Sequence, residues 1–421
     1  MNKRDFLKSL AFTGVAGISS IESLAYRLGQ FHNFSSQELA SNEDYWAIIR
    51  AGYKLKEDYI NLENGYYCFL PEQTLHRYLE KIKDINYQGS WYFRTVQWEN
   101  KDKTAARLAQ VFGGSSDELA ITRNTTESLD TIISGYPWQK GDEAIFAHQD
   151  YGSMKNMFEL AARRHGIVNK VVDVPLHPES DEEIIRVYES AITPQTKLIM
   201  VSHMINITGQ ILPIKKIAEM AHSYGVEVMV DGAHCIAHID FKINELDCDY
   251  YACSLHKWLS VPLGAGLLYV KKEHIGKIWP LLAPYELDHP TIKNLNHTGT
   301  HPVATDLAIH DALDYFEAIG PQAKEDRLRY LQRYWSDQVR GLPNILLNTP
   351  NDPQRSCGIA NVGIEGIEPN LMAKTLLEDY KIYTVGINYA GVYGCRITPN
   401  IYTSIAELDQ FVKALKEMSQ N

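Results

Sequence analysis

Short apolar runs alternate with amphipathic helical segments through the central part of this chain. The runs are rich in β-branched and aliphatic residues, and segments with helical spacing, such as 214–224, separate them. The runs that predict strands are Glu118–Thr122, Glu143–Phe146, Lys170–Val174, Leu198–Val201, Val226–Val230, Tyr250–Cys253 and Gly266–Val270. This alternation predicts an α/β fold with a mainly parallel sheet, in which ligands bind at the carboxyl ends of the strands.

The first 25 residues have the layout of an export signal. Lys3 and Arg4 precede a short apolar run from Leu10 to Ile18 and a small-x-small site at Ser23–Ala25. The basic start resembles a twin-arginine signal in which a lysine replaces the first arginine. We therefore expect a periplasmic or exported protein without stable membrane insertion, because the run is too short to span a bilayer. The alternative is an amphipathic N-terminal helix of a cytoplasmic protein.

The C-terminal part of the chain predicts a second, smaller domain. Helical periodicity at 304–319 and 323–339 is followed by an αβ region that ends in a helix at 405–418. The weak periodicity of 26–58 leaves open whether that segment packs on the small domain or on a partner subunit. The predicted division is an export signal at 1–25, an N-terminal segment at 26–60, a large cofactor-binding domain at 61–300 and a small domain at 301–421.

Composition and charge narrow the class of ligand. Hydrophobic residues make up 45% and charged residues 22% of the 421 residues, as in ordinary globular proteins. The net charge of −11 argues against binding nucleic acid through a basic surface, so the expected ligand is a small molecule. The six cysteines form no CxxC pair and no zinc-like cluster with histidine, which predicts buried thiols rather than a metal site or a disulfide framework.

Two of the predicted strands end in groups that can carry chemistry. Asp231 and His234 come after one strand, whereas Ser254, His256 and Lys257 come after the next. Alone, Asp231 would be a helix N-cap and Lys257 a solvated surface residue. Together they fit an aldehyde cofactor with a pyridine ring. A partly desolvated lysine can form a Schiff base, and an anion keeps the ring nitrogen protonated.

The segment from Asp231 to His234, combined with Lys257 in the sequence Ser-Leu-His-Lys-Trp, resembles the class V aminotransferases, which are pyridoxal 5′-phosphate (PLP) enzymes. The resemblance extends from Asn61 to about Thr403 and is strongest to the isopenicillin N epimerase-like branch. It implies the type I, aspartate aminotransferase-like fold of PLP-dependent transferases. It also implies that Lys257 carries the cofactor and transfers protons, while Asp231 pairs with the pyridine nitrogen.

The same resemblance assigns further contacts to the cofactor ring. It places His234 and Asn206 near the phenolic oxygen and Tyr151 on the ring face. It places Thr300 on the phosphate of a neighbouring subunit's cofactor, which implies a homodimer with shared active sites. A turn at Asn206 and a half-buried loop tyrosine at position 151 are the structural alternatives.

Four residues are assigned to the phosphate of the chain's own cofactor. By the resemblance they are Thr125, Thr126, Ser254 and His256. The two threonines follow a predicted strand and begin a helix, whose free N–H groups and dipole can bind an anion. A plain N-cap at Asn124 is the alternative for this segment.

Arg396, in the sequence Gly-Cys-Arg-Ile-Thr-Pro, resembles the family's clamp for the carboxylate of the substrate. A guanidinium group suits this role because it stays charged and presents a planar, bidentate fork. The alternative is a surface salt bridge. We therefore expect an amino acid or amino-acid derivative as the substrate.

The residues predict the class of the reaction but not its outcome. Lys257 is placed to remove the Cα proton of a bound amino acid. The expected enzyme is then epimerase-like or an aminotransferase, and a carbon–sulfur lyase is the alternative. A cysteine desulfurase is disfavoured because 382–394 contains no cysteine and Cys395 should face away from Arg396. A catalytically inert PLP-binding protein is the alternative from another class.

Overall fold

The computed structural model describes residues 20–286 and 288–420. The strands are β1 (Ile60–Asn61), β2 (Leu119–Thr122), β3 (Glu143–Ala147), β4 (Val168–Val172), β5 (Thr196–Ser202), β6 (Glu227–Asp231), β7 (Tyr250–Ser254), β8 (Gly266–Val270), β9 (Ile345–Leu347), β10 (Ala360–Ile364), β11 (Ile382–Tyr383), β12 (Val385–Tyr389) and β13 (Val392–Ile397). The helices are α1 (Ile21–Leu28), α2 (Ser36–Ala40), α3 (Glu43–Arg50), α4 (Glu72–Gln88), α5 (Ser90–Thr95), α6 (Gln97–Phe112), α7 (Thr125–Gly135), α8 (Gly152–His165), α9 (Asp181–Glu189), α10 (Ile214–Ser223), α11 (Val303–Ile319), α12 (Pro321–Val339), α13 (Pro369–Tyr380) and α14 (Ile405–Met418).

A seven-stranded sheet forms the centre of the larger part of the fold. Its order is β2–β8–β7–β6–β5–β3–β4, with parallel pairing from β7 through β4 and antiparallel pairing of β8 with β2 and β7. Leu198 and Ile199, neighbours on β5, belong to different apolar cores, one on each face of the sheet. Because both faces are covered, the inner strands read as continuous apolar runs. The predicted α/β fold with a mainly parallel sheet is confirmed.

One strand differs in its bounds from the prediction. β4 begins at Val168 rather than at Lys170, because Val168 pairs with Glu143 at the start of β3. β4 is an edge strand, and Val168 and Val171 are 47% and 44% exposed. Val174, which the apolar run assigned to the strand, lies beyond its end and packs in the core. Apolar character alone therefore does not fix the ends of an edge strand.

A second sheet, with the order β12–β13–β10–β9, lies in the C-terminal part and is antiparallel throughout. β1 pairs in parallel with β11, so the chain before the large sheet is joined to the C-terminal part. The preceding helices also pack within the chain. Tyr45 donates its hydroxyl to the Ile319 carbonyl at 2.8 Å, and Arg327 forms an ion pair with Glu43 at 2.6 Å. The N-terminal segment therefore contacts α11 and α12 of its own chain.

The predicted export signal falls largely on residues 1–19, which lie outside the described residues. Its expected cleavage site, Ser23–Ala25, lies within α1, where Leu24 is fully buried. No helix in the described ranges is both long enough and apolar enough to cross a membrane. All six cysteines are buried as free thiols, as predicted for most of them.

Candidate active site

A cavity of about 400 Å³ opens at the carboxyl ends of β5, β6 and β7. Its lining includes the sequence-predicted residues Thr125, Thr126, Tyr151, Asn206, Asp231, His234, Ser254, His256, Lys257 and Arg396. Thr300 does not line it and lies on an exposed loop before α11. A larger groove of about 800 Å³, between α3, β1 and α14, is lined by none of these residues. The chemistry of the lining, rather than its volume, therefore identifies the smaller cavity as the candidate site.

Asp231 and Lys257 influence each other's charge in this cavity. Asp231 ends β6, and its carboxylate accepts the Ala233 N–H at 3.0 Å. Burial raises the pKa of Asp231, although the hydrogen bond from Ala233 and the charge of Lys257 each lower it. Burial lowers the pKa of Lys257, and Arg396 lowers it further, whereas Asp231 opposes this change. The Lys257 amine is therefore easier to deprotonate than that of an exposed lysine, as a nucleophile toward an aldehyde requires.

Trp258 fixes the tautomer of the histidine beside Lys257. The Trp258 indole N–H donates to His234 Nδ1 at 3.3 Å, and His234 Nε2 lies 3.1 Å from Lys257 Nζ. Burial holds the pKa of His234 well below its usual range, so the ring is neutral and its single proton must be on Nε2. That N–H points at the lysine nitrogen, which can accept it only as a neutral amine. His238 stacks on Trp258 at a centroid distance of 3.7 Å and keeps the indole in place.

A cradle of donors forms where α7 begins beside the end of β7. The Thr125 N–H donates to Ser254 Oγ at 3.0 Å, and the two hydroxyl oxygens are 2.7 Å apart. A Cβ on Gly266 would lie 2.7 Å from the Asn124 nitrogen, so a glycine lets β8 approach this loop. His256 Nδ1 is buried with no hydrogen-bond partner among the described residues. An anion would satisfy this nitrogen and the N–H groups of the helix, so the donors fit the phosphate of PLP.

The remaining predicted ring contacts also lie at the cavity. Tyr151 directly precedes α8 and is 46% exposed. Asn206 lies in the turn after β5, and its carbonyl accepts the Arg396 Nη1–H at 3.2 Å.

His256 is a neutral member of the phosphate cradle. Burial lowers its pKa to about 4, and the charge of Lys257 contributes to this lowering.

Arg396 reaches the cavity from β13 of the second sheet and pairs with a carboxylate that the sequence analysis did not identify. Its Nη2 and Nε atoms lie 2.5 and 3.2 Å from the two carboxylate oxygens of Glu63. The side chains are only 10% and 7% exposed, so this is a buried pair rather than a surface salt bridge. A Cβ on Gly65 would lie 2.7 Å from Arg396 Cζ, so the guanidinium packs against backbone that only glycine leaves open.

Ser202 lines the cavity and is a second residue that the sequence analysis missed. It ends β5, pairs in register with Asp231 on β6, and donates its hydroxyl to Asp150 at 2.7 Å. Burial raises the pKa of Asp150 to about 7. The parallel register of two strands that end together is a signal that could have identified Ser202. The local sequence around Glu63 carries no such signal, because its partner is 333 residues away.

Comparison with known proteins agrees with this arrangement. The profile of the aminotransferase class V family matches residues 71–410. The chain is 27% identical to isopenicillin N epimerase from Streptomyces clavuligerus over 74% of this chain and 83% of that protein. It is 30% identical to a probable cysteine desulfurase from Halalkalibacterium halodurans over 73% and 77% of the two chains.

Among solved structures, the fold is similar to the cystine C–S lyase C-DES. One structure of that protein has glycine covalently linked to its PLP cofactor, and it matches with a TM-score of 0.76 and 21% identity over 85% of this chain and 96% of that one. This likeness confirms the expected PLP-dependent fold. The chain therefore belongs to the aminotransferase class V family and is a PLP-dependent enzyme.

Proposed function

We propose that this enzyme acts on the α-carbon of an amino acid or amino-acid derivative, as an epimerase-like enzyme or an aminotransferase. The observation that carries the proposal is the single cavity that holds Lys257, Asp231 and Arg396. These residues supply a nucleophilic amine, an anion for the ring nitrogen and a cation for a substrate carboxylate. A protein that only stores PLP has no need for the third group, which argues against the inert alternative.

Different residues of the cavity would bind different parts of PLP. Thr125, Thr126, Ser254 and His256 would bind the phosphate, Tyr151 would cover the ring, and His234 and Asn206 would lie toward the phenolic oxygen. Asp231 would keep the ring nitrogen protonated, and a cation there would in turn favour the charged form of this buried carboxyl. When bound, PLP supplies the electron sink that makes the Cα proton of an attached amino acid acidic.

Lys257 is the group proposed to move the proton. Its amine loses charge readily in the buried cavity, and His234 Nε2–H holds the nitrogen by a hydrogen bond. A neutral amine can take the Cα proton as a general base and return a proton as a general acid. Epimerisation would need a second donor on the face of Cα opposite Lys257, whereas transamination would need only the proton that Lys257 carries.

The cysteine chemistry of a desulfurase does not fit this cavity. Residues 382–394, where the family's nucleophile would lie, contain no cysteine; they form β11, β12 and the start of β13, and the short turn Ala390–Gly391 joins the last two. Cys395 donates its thiol to the Pro369 carbonyl at 3.5 Å, away from the Arg396 pair, and burial raises its pKa to about 12. No cysteine is among the described residues that line the cavity. A carbon–sulfur lyase needs no such thiol and remains the second candidate, in line with the named activity of C-DES.

Product analysis tests the proposal. The PLP-loaded enzyme is incubated in deuterated water with D- and L-amino acids and cysteine conjugates, and the products are followed by NMR and chiral chromatography. Epimerisation gives the opposite enantiomer with deuterium at Cα, transamination gives a keto acid, and a lyase releases the substituent together with a keto acid. Cα–H exchange with none of the substrates, together with an unchanged cofactor spectrum, would support the inert alternative and contradict the proposal.

We also propose that the protein is a homodimer with shared active sites. Thr300 lies outside the cavity of its own chain, as a residue that serves a neighbouring site must. Trp279 and Tyr285, on the preceding stretch, are 69% and 93% exposed, which suits an interface. Light scattering of the purified protein tests this proposal, and a monomer would contradict it.

We propose an exported location on the basis of the twin-arginine-like start and the apolar run from Leu10 to Ile18. Fractionation of the source cells tests this location, and a cytoplasmic pool would contradict it.

Removing the carboxylate clamp should weaken substrate binding strongly. Loss of a buried, charge-assisted bidentate pair costs about 2 to 5 kcal/mol. Arg396→Ala should therefore bind carboxylate-bearing substrates roughly one to four orders of magnitude more weakly, while its cofactor spectrum without substrate stays unchanged. Titration with an amino acid and with its amide gives the comparison. An undiminished preference for the acid in a folded variant would move the clamp to another residue.

A further inference from the structure

Glu63 presents to Arg396 the same group that a substrate would bring. Its two carboxylate oxygens meet Nε and Nη2, which is the bidentate geometry of an arginine–carboxylate pair. Arg396 lines the cavity wall with Gly65, Glu63 lies directly behind it, and both side chains of the pair are largely buried. In this state the positive charge of the clamp is cancelled from within the protein.

Two other groups limit how a ligand can approach the guanidinium. Nη1 donates to the Asn206 carbonyl, and the backbone at Gly65 covers the guanidinium carbon. The fork of Nε and Nη2 is an edge at which a carboxylate finds two donors in bidentate geometry. Glu63 holds that edge, so a substrate carboxylate that binds there requires the place that Glu63 occupies.

The backbone at Glu63, which lies outside the named strands, is held by contacts that do not involve its carboxylate. Its backbone forms a bridge with Thr398, and the next residue, Asn64, donates its N–H to Thr398 Oγ1 at 2.6 Å. The carboxylate itself accepts, besides the Arg396 donors, the N–H of Tyr66 at 3.1 Å, and Tyr66 lines the cavity with its side chain 77% exposed. A change of the Glu63 side-chain rotamer would break this bond together with the pair to Arg396 and would free the fork.

We propose that Glu63 is a specificity-determining residue that competes with the substrate carboxylate for Arg396. This inference rests on the proposed function, in which Arg396 binds that carboxylate. A substrate that enters must displace Glu63, which weakens the binding of free acids relative to amides and other neutral derivatives. Removing the charge of Glu63 should therefore increase the preference for the acid.

The test compares the PLP-loaded wild type with Glu63→Gln and Glu63→Ala. Each protein is titrated with alanine and with alaninamide, in both enantiomers, and the change in cofactor absorbance gives a Kd. We expect the preference for the acid over the amide to rise about tenfold in both variants. Glu407→Gln is the matched control, because Glu407 forms a similar bidentate pair with Arg50 outside the cavity. In this control the preference should equal that of the wild type.

A second measurement is independent of the reaction. Acetate should raise the melting temperature of Glu63→Gln more than that of the wild type, with sodium chloride at equal ionic strength as the reference. A preference and an acetate response equal to or lower than those of the wild type would overturn the proposal, since Glu63 would then only position Arg396. A wild type whose spectrum responds to no amino acid contradicts the proposed function instead, and the acetate comparison still decides whether Glu63 competes for the fork.

Discussion

Replacing Lys257 with alanine is expected to abolish covalent attachment of PLP and to reduce turnover to background. Only an amine inside the cavity can bond to the aldehyde, and among the described residues Lys257 is the lysine that lines it. Borohydride reduction of the loaded wild type, followed by peptide mapping, should place a pyridoxyl group on Lys257. The same treatment of Lys257→Ala should leave no stable label.

A second buried lysine, Lys324, lets this experiment distinguish the position of an amine from its pKa as the cause of labelling. Burial lowers the pKa of Lys324 to about 8, so this amine is also deprotonated readily. Its ammonium contacts the Trp258 carbonyl, and it is absent from the cavity lining within the described residues. Position rather than pKa therefore selects the reactive amine. A label on Lys324 or on any lysine other than Lys257 would refute the assignment.

Asp231→Ala should retain PLP but lose turnover by about 100-fold or more. The phosphate cradle and Lys257 remain in this variant, so binding and attachment persist. The pyridine nitrogen, however, loses the buried anion that keeps it protonated, and the ring becomes a poor electron sink. Cofactor absorbance measures retention, and kcat on a verified substrate measures the loss.

Asp130→Asn is the control for the Asp231 variant. Asp130 lies on α7, burial raises its pKa to about 6, and it does not line the cavity. Its replacement removes a partly buried carboxyl group without changing the groups around the ring, so turnover should match the wild type. Near-normal turnover in Asp231→Ala would show that another group is the partner of the ring nitrogen.

The sequence allowed the sheet and most of the cavity to be predicted because their signals are local. Asp231 and Lys257 each follow an apolar strand, and parallel strands bring their carboxyl ends to one edge. Glu63 could not be predicted in this way, because its role depends on its pairing with Arg396, which lies on a strand of the other sheet. Trp258 was visible within the motif around Lys257, but its role depends on the orientation of His234, which no sequence pattern specifies.

The pairing of β1 with β11 also orders the events of synthesis and folding. Ile60 lies opposite Ile382, and Glu63 meets Arg396 across a separation of 333 residues. A ribosome must therefore translate nearly the whole chain before the two walls of the cavity can meet. Contacts between such distant segments form late, because the entropy of closing so long a loop is lost before the contact is gained. A nascent chain that has already exposed Lys257 still lacks Arg396. The reactive amine is therefore synthesised before the arginine that would select carboxylate-bearing substrates for it.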